Sequence, residues 1–201
     1  PDLAQGDVQR IFYIHMPSFF GAFFAFGVGV VGGIQYLRTR TLKWDTFALA
    51  GIEVGIALAV VNLVTGMIWA RPIWNTWWTW DPRLTSASIV ELIYLAYLML
   101  RQGIEDPDRR ARFGAVYTLV GAISVPITFL SIRMFRTIHP VVIGNKSAAA
   151  EGGFSMSSDM KIAFFFALFA FTIIFIDLFW NRIRLGQLQQ KVEQLKLKVM
   201  E

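Results

Sequence analysis

The chain contains no cysteine. That absence excludes a disulfide framework, a thiolate metal site and a thiol nucleophile, so metal or redox chemistry falls to two histidines, seven methionines or a borrowed partner. Charge is also scarce: Asp, Glu, Lys and Arg make up 16% of the 201 residues, against 55% hydrophobic. With a mean hydropathy of +0.51, this balance argues against a soluble core and puts most of the chain in lipid. There is no G-x-x-x-x-G-K-[ST] phosphate loop, so any ATP hydrolysis must come from elsewhere. The first residue is Pro1, which points to processing or trimming, and no signal-peptide n-region is visible.

What is present is long apolar runs. A helix needs about 20 apolar residues to cross a hydrocarbon core of roughly 30 Å. Five stretches meet or approach that length: about Ile11–Leu37, Thr46–Trp69, Thr85–Leu100, Phe113–Ile132 and Ile162–Trp180. The third is short and is expected to tilt or extend into its flanks. The expected fold is therefore an all-α integral membrane bundle of five helices, spanning residues 1–184. Beyond it, Leu185, Leu188, Val192, Leu195 and Val199 recur at three- and four-residue steps. That spacing predicts an amphipathic cytoplasmic tail helix over residues 185–201. Two heptads are too few for a stable coiled coil.

The net charge of +5 does not indicate nucleic acid, because the basic residues lie between and after apolar runs, in the pattern of membrane topology. Twelve fall on one side: Arg38, Arg40, Lys43, Arg101, Arg109, Arg110, Arg112, Arg182, Arg184, Lys191, Lys196 and Lys198. Seven fall on the other: Arg10, Arg71, Arg83, Arg133, Arg136, Lys146 and Lys161. The richer side is expected to be cytoplasmic. The carboxyl terminus is then inside, while the amino terminus and the segment after Trp69 are outside.

That outer segment holds the chain's densest chemistry. Four of seven tryptophans, Trp74, Trp77, Trp78 and Trp80, crowd into WNTWWTWD. An interfacial aromatic belt explains Trp44, Trp69 and Trp180 well, but a belt spreads its rings over several helix ends. Four rings in one loop favour a platform for something flat and apolar. Both histidines, His15 in the first turn of the first segment and His139 just beyond the fourth, land on the same side. A lone interfacial histidine is more often a hydrogen-bonded side chain than a ligand; two beside an aromatic platform shift the balance toward a shared ligand. Haem fits best. It offers a flat macrocycle for the tryptophans, an iron for His15 and His139, and propionates for Arg71, Arg83, Arg133 and Arg136. Met16 and Met134 are weaker axial donors, better read as packing.

Asp81 followed by Pro82 is the pattern of an N-cap and first helical residue, so Asp81 is expected to start the third helix and fix where the tryptophan loop ends. Glu53, Glu91 and Asp177 lie inside apolar segments, where ionisable groups are costly. A structural role is favoured for all three: Glu53 and Glu91 bonding across helices, with Asn62 and Thr65 as available partners, and Asp177 meeting Arg182 or water. Pro17 and Pro126 are expected to bend their helices.

The stretch WNTWWTWDPRLTS closely resembles the tryptophan-rich (WWD) signature of the CcmC haem-handling family of cytochrome c maturation. QGDVQRIFYIHMP, LVTGMIWARPIW and SIRMFRTIHP resemble the family's flanking segments in the same order, so the resemblance covers nearly the whole chain. It implies that His15 and His139 ligate haem iron and that Trp74, Trp77, Trp78, Trp80 and Asp81 form the haem-presenting loop. Asn75 stands where the signature commonly has glycine, a tolerable change if its φ is positive. Family members usually carry one more membrane helix before the first histidine; with it there would be six crossings and both termini inside. The implied activity is not enzymatic: haem b is taken at the outer face and passed to a periplasmic haem chaperone (CcmE). The implied partners are an ABC ATPase (CcmA), its permease (CcmB) and a small single-helix subunit (CcmD), all in or at the inner membrane. Two alternatives remain open at this point: a haem lyase attaching haem directly to apocytochrome c, and a permease-like or purely structural subunit whose aromatics are an anchor.

Overall fold

The computed structural model describes residues 5–142 and 156–200; Lys146, counted above among the outer basic residues, lies outside them. A 3-10 turn, Asp7–Ile11, leads into six α-helices: α1 (Phe12–Thr39), α2 (Leu42–Trp74), α3 (Pro82–Gln102), α4 (Pro107–Ala122), α5 (Ser124–Met134) and α6 (Ser158–Met200). Among the described residues there is no β-strand. Among the described residues, five spans are long and apolar enough to cross a membrane, with α4 and α5 forming one of them, Pro107–Met134. The protein is an all-α multi-pass membrane protein, as its composition predicts.

Local chemistry sets the helix ends. Asp81 accepts the Arg83 N–H at 2.8 Å with Pro82 at the first helical position, so α3 starts where the cap predicts. Asp106 does the same for α4, accepting the Arg109 N–H. That second cap begins α4 inside the charged run, six residues before the apolar stretch that marked it in the sequence. The fourth span breaks at Ile123. Pro126 supplies the reason, since it has no N–H for the carbonyl of Ala122, the last residue of α4.

α1 packs chiefly on α2. The two backbones touch where side chains are absent: a Cβ on Gly32 would stand 2.7 Å from the Ala48 nitrogen, and one on Gly51 would stand 2.8 Å from the Ala25 oxygen. Dispersion at such close approach drives helix association in lipid, where apolar burial gives no advantage. The core spreads from this seam to α3, where Tyr94 stacks on Phe26 with centroids 4.2 Å apart.

Glu53 bonds across helices as expected, while Asp177 takes a partner other than Arg182. Glu53 binds Arg182 of α6, at 3.0 Å for Oε1 and Nη2. Arg182 is therefore committed to Glu53 rather than Asp177, whose Oδ1 accepts from Asn181 one turn on. Asn62 and Thr65 face His15 instead of the glutamates. Long side chains reach across helices more readily than their sequence neighbourhood suggests. α6 continues through residues 185–200 without a break, and Gln190 Nε2 donates to Thr46 Oγ1 at 2.7 Å.

Candidate functional site: a two-histidine cavity under the tryptophan loop

α2 ends at Trp74 because Asn75 turns left-handed, with φ 55° and ψ 23°. Asparagine tolerates this region better than most residues. Arg71 Nη1 donates to the Asn75 carbonyl at 3.0 Å and to its side-chain oxygen, closing the turn. Thr76 Oγ1 then donates to the Trp78 carbonyl at 3.0 Å. The loop so formed sends its rings two ways. Trp74 and Trp78 line a cavity, while Trp77 and Trp80 are 53% and 81% exposed.

Asp81 does more than cap α3. Its Oδ1 also accepts from Thr137 Oγ1 at 2.8 Å, and its Oδ2 accepts from the Ile138 N–H at 2.9 Å. Thr137 Oγ1 in turn accepts the His139 N–H at 3.0 Å. One buried carboxylate, 8% exposed, thus fastens the end of the tryptophan loop to the segment that carries His139. Hydrogen bonds to an ionised acceptor are roughly twice as strong as neutral ones. Arg83, two residues on, donates to the Thr128 carbonyl of α5 at 2.6 Å, and its guanidinium lies 4.9 Å from the Phe19 centroid and 5.6 Å from that of Phe129.

Both histidines line the same cavity. His15 reaches it from the first turn of α1, its Nδ1 3.0 Å from the Asn62 carbonyl. His139 reaches it from the segment after α5, its Nδ1 3.0 Å from the Pro140 carbonyl, and the Trp74 ring stands edge-on at 6.5 Å. A carbonyl oxygen can only accept, so each of these contacts is a hydrogen bond when the ring proton sits on Nδ1. Loss of water around His139, with Arg83 and His15 nearby, pushes its pKa down to about 3. At neutral pH it is therefore an uncharged nitrogen donor, the form that binds metals.

Among the cations expected near the site, Arg83 lines the cavity, while Arg71 closes the Asn75 turn and Arg136 borders a shallow cleft beside Asp81 and Trp80. Met16 also lines the cavity, packed with Phe12 and Phe164; Met134 is exposed at the end of α5. Trp69, which the sequence places in the interfacial belt, faces inward. It lines the cavity, stands edge-on to Trp74 at 5.0 Å, and donates through Nε1 to Gln5 Oε1 at 3.1 Å. Sequence reasoning also missed Asn62, Thr65 and Gly66 as His15 neighbours. The spacing 62, 65, 66, 69 is one face of a helix, and polar residues on one face of an apolar span were the available signal.

A family model described as Heme exporter protein C matches residues 1–198. The chain belongs to the Heme exporter protein C family. It is 35% identical over 196 residues to the Heme exporter protein C of Bradyrhizobium diazoefficiens, across 98% of this chain and 73% of that protein. The Paracoccus denitrificans Heme exporter protein C is 29% identical, across 91% of this chain and 75% of the relative. A protein of Marchantia polymorpha described as a cytochrome c biosynthesis ccmC-like mitochondrial protein is 30% identical, across 96% and 81% respectively. The resemblance read from the WNTWWTWD signature and its flanking segments is thereby borne out, and this Heme exporter protein C family member assembles those same segments around one cavity.

Proposed function

We propose that this protein binds haem b at the outer face of the inner membrane, between His15 and His139, and hands it to a periplasmic haem chaperone for cytochrome c maturation. The observation that carries the reading is that both imidazoles, each with Nδ1 against a backbone carbonyl, share one cavity walled by Trp74 and Trp78. Two nitrogen donors fall short of the four ligands a structural metal site takes, whereas a porphyrin supplies four of its own and needs only axial donors.

The roles divide by position. Trp74 and Trp78 pack the macrocycle, and Arg83 at the wall with Arg71 and Arg136 at the rim meets its carboxylates. Exposed Trp77 and Trp80 present the outer edge to the chaperone (CcmE). Asp81 keeps platform and ligand in register. Energy comes from an ABC ATPase and permease pair (CcmA and CcmB), assembled with a small single-helix subunit (CcmD). Residues 1–184 form the haem-handling unit and 185–201 a cytoplasmic tail, with the tryptophan loop and both histidines outside. The protein delivers haem and does not catalyse its attachment.

The test is the visible spectrum of protein purified from haem-replete cells. A Soret band with low-spin bis-nitrogen features is expected, and its absence overturns the reading. His15→Ala and His139→Ala should each lose one axial ligand and release haem at least about tenfold faster, a change of about 1.4 kcal/mol. Wild-type spectra from both variants would refute the ligand assignment. Thioether-linked haem formed on an apocytochrome peptide without a chaperone would replace delivery by lyase chemistry.

A further inference from the structure

His15 is held by a cradle on α2 that its role as an iron ligand does not itself require. Its Nδ1 lies 3.0 Å from the Asn62 carbonyl and 3.2 Å from Thr65 Oγ1. The Thr65 hydroxyl has only one proton, and carbonyls are in reach at Val61 (2.7 Å) and Asn62 (3.0 Å); with that proton so spent, it can only accept from the ring. Both neighbours thus hold a proton on Nδ1. The Asn62 amide stands 3.2 Å and 3.4 Å from the two ring nitrogens, but its shorter bond, 2.8 Å, goes to the His15 carbonyl and ties α1 to α2 at this residue. Gly66 completes the arrangement. A Cβ there would stand 3.0 Å from the ring's Cε1, so the imidazole lies against helix with no side chain beneath it.

We propose that Thr65 and Gly66 are positioning residues for haem ligation: Thr65, with the Asn62 carbonyl, fixes His15 as the Nδ1–H tautomer and strengthens Nε2 as a donor to ferric iron, while Gly66 gives the ring its seat. The inference rests on the haem-binding reading above. Its physical basis is that a ring N–H given to an acceptor fixes the tautomer and raises the basicity of the opposite nitrogen. A more basic nitrogen favours the more positive iron, so losing the Thr65 acceptor weakens ferric more than ferrous binding.

Two measurements test it, one of them without haem. In the haem-free protein labelled with [15N]histidine, only two imidazoles report, and the His15→Ala spectrum assigns them. His15 is expected as Nδ1–H, and an Nε2–H tautomer overturns the proposal. In the haem-loaded protein, Thr65→Val removes the acceptor at nearly constant shape. About a threefold loss of ferric over ferrous preference is expected, which raises the midpoint potential by about 30 mV at 59 mV per tenfold for one electron. Thr65→Ser should restore the wild-type potential, and Thr65→Ala poses the same question should the valine variant not accumulate. A role in folding alone would change the melting temperature and leave the potential where it was, which counts against the proposal. Gly66→Ala should retain haem about tenfold less well, with added imidazole restoring the low-spin spectrum; wild-type retention refutes the seat. If His15→Ala keeps the wild-type spectrum, His15 is not an iron ligand and the bis-histidine reading fails with this inference. If that variant loses a ligand while Thr65→Val behaves as wild type, only this inference fails.

Discussion

The two ends of the bundle use their charges differently. At the tryptophan-loop end, charged side chains bond mainly to backbone: Asp81 to the N–H groups of Arg83 and Ile138, Arg83 to the Thr128 carbonyl, Arg71 to the Asn75 carbonyl. Toward the other end they bond to each other. Asp45 and Arg101 form a two-pronged pair across α2 and α3, with Nη1 and Oδ1 2.8 Å apart, and Glu53 meets Arg182. Irregular backbone at a membrane surface has no ladder of its own, so side chains must satisfy it and hold its shape. Ion pairs between helices neutralise one another and close the structure. The first arrangement holds both histidine rings at the wall of a cavity; the second ties helix to helix.

The largest effect expected from breaking this contrast is at the closed end. Asp45→Ala strands the buried Arg101 guanidinium, and losing one partner of a buried pair costs about 3–5 kcal/mol. Thermal unfolding in detergent should show it, while any haem spectrum of the surviving folded protein stays as wild type. Replacing both partners with apolar residues of similar size should recover much of the loss. A Soret shift in Asp45→Ala would mean the two ends are not independent.

Asp81→Ala probes the open end. The lost α3 cap accounts for about 1 kcal/mol, and the stranded Ile138 N–H adds about 1–3 kcal/mol, so the melting temperature should fall less than in Asp45→Ala. The local effect should be larger than the global one. Amide exchange over residues 135–142 should accelerate, and haem retention should drop at least about tenfold as His139 loses its tether. Protection of that segment equal to wild type would show that Asp81 is only a cap.

How much of this was legible in the sequence follows from range. The five spans and the Asp81–Pro82 cap depend on residues adjacent in the chain, and they stand where composition and cap chemistry put them. The meeting of His15 and His139 followed from counting crossings, which is topology rather than contact. The second role of Asp81 depends on partners 56 and 57 residues away, the Glu53–Arg182 pair on one 129 residues away, and the His15 cradle on residues 47 and 50 away. Nothing local distinguishes Asn62 near a glutamate from Asn62 near a histidine; helix rotation decides it, and that is set by the glycine seam between α1 and α2.

The smallest expected effects test the contrast at matched positions. Each of the first two helices ends on a left-handed residue that is not glycine, Arg40 at φ 55° after α1 and Asn75 at φ 55° after α2. A Cβ in this region costs roughly 1–2 kcal/mol, less for asparagine, while glycine gives back part of any gain through unfolded-state entropy. Arg40→Gly should therefore stabilise by about 0.5–1 kcal/mol, since the cap at that end is the backbone bond from Arg40 N–H to the Tyr36 carbonyl, which glycine also makes. Asn75→Gly relieves less strain and also removes the oxygen that receives Arg71, so its net change should lie within about 0.5 kcal/mol, the usual range for a surface substitution. In a domain of this size 1 kcal/mol moves the melting temperature by about 2–4 °C, enough to separate the two. Equal gains from both glycines would mean that the Asn75 side chain contributes only its tolerance of the turn, and that Arg71 does not help to hold the tryptophan loop.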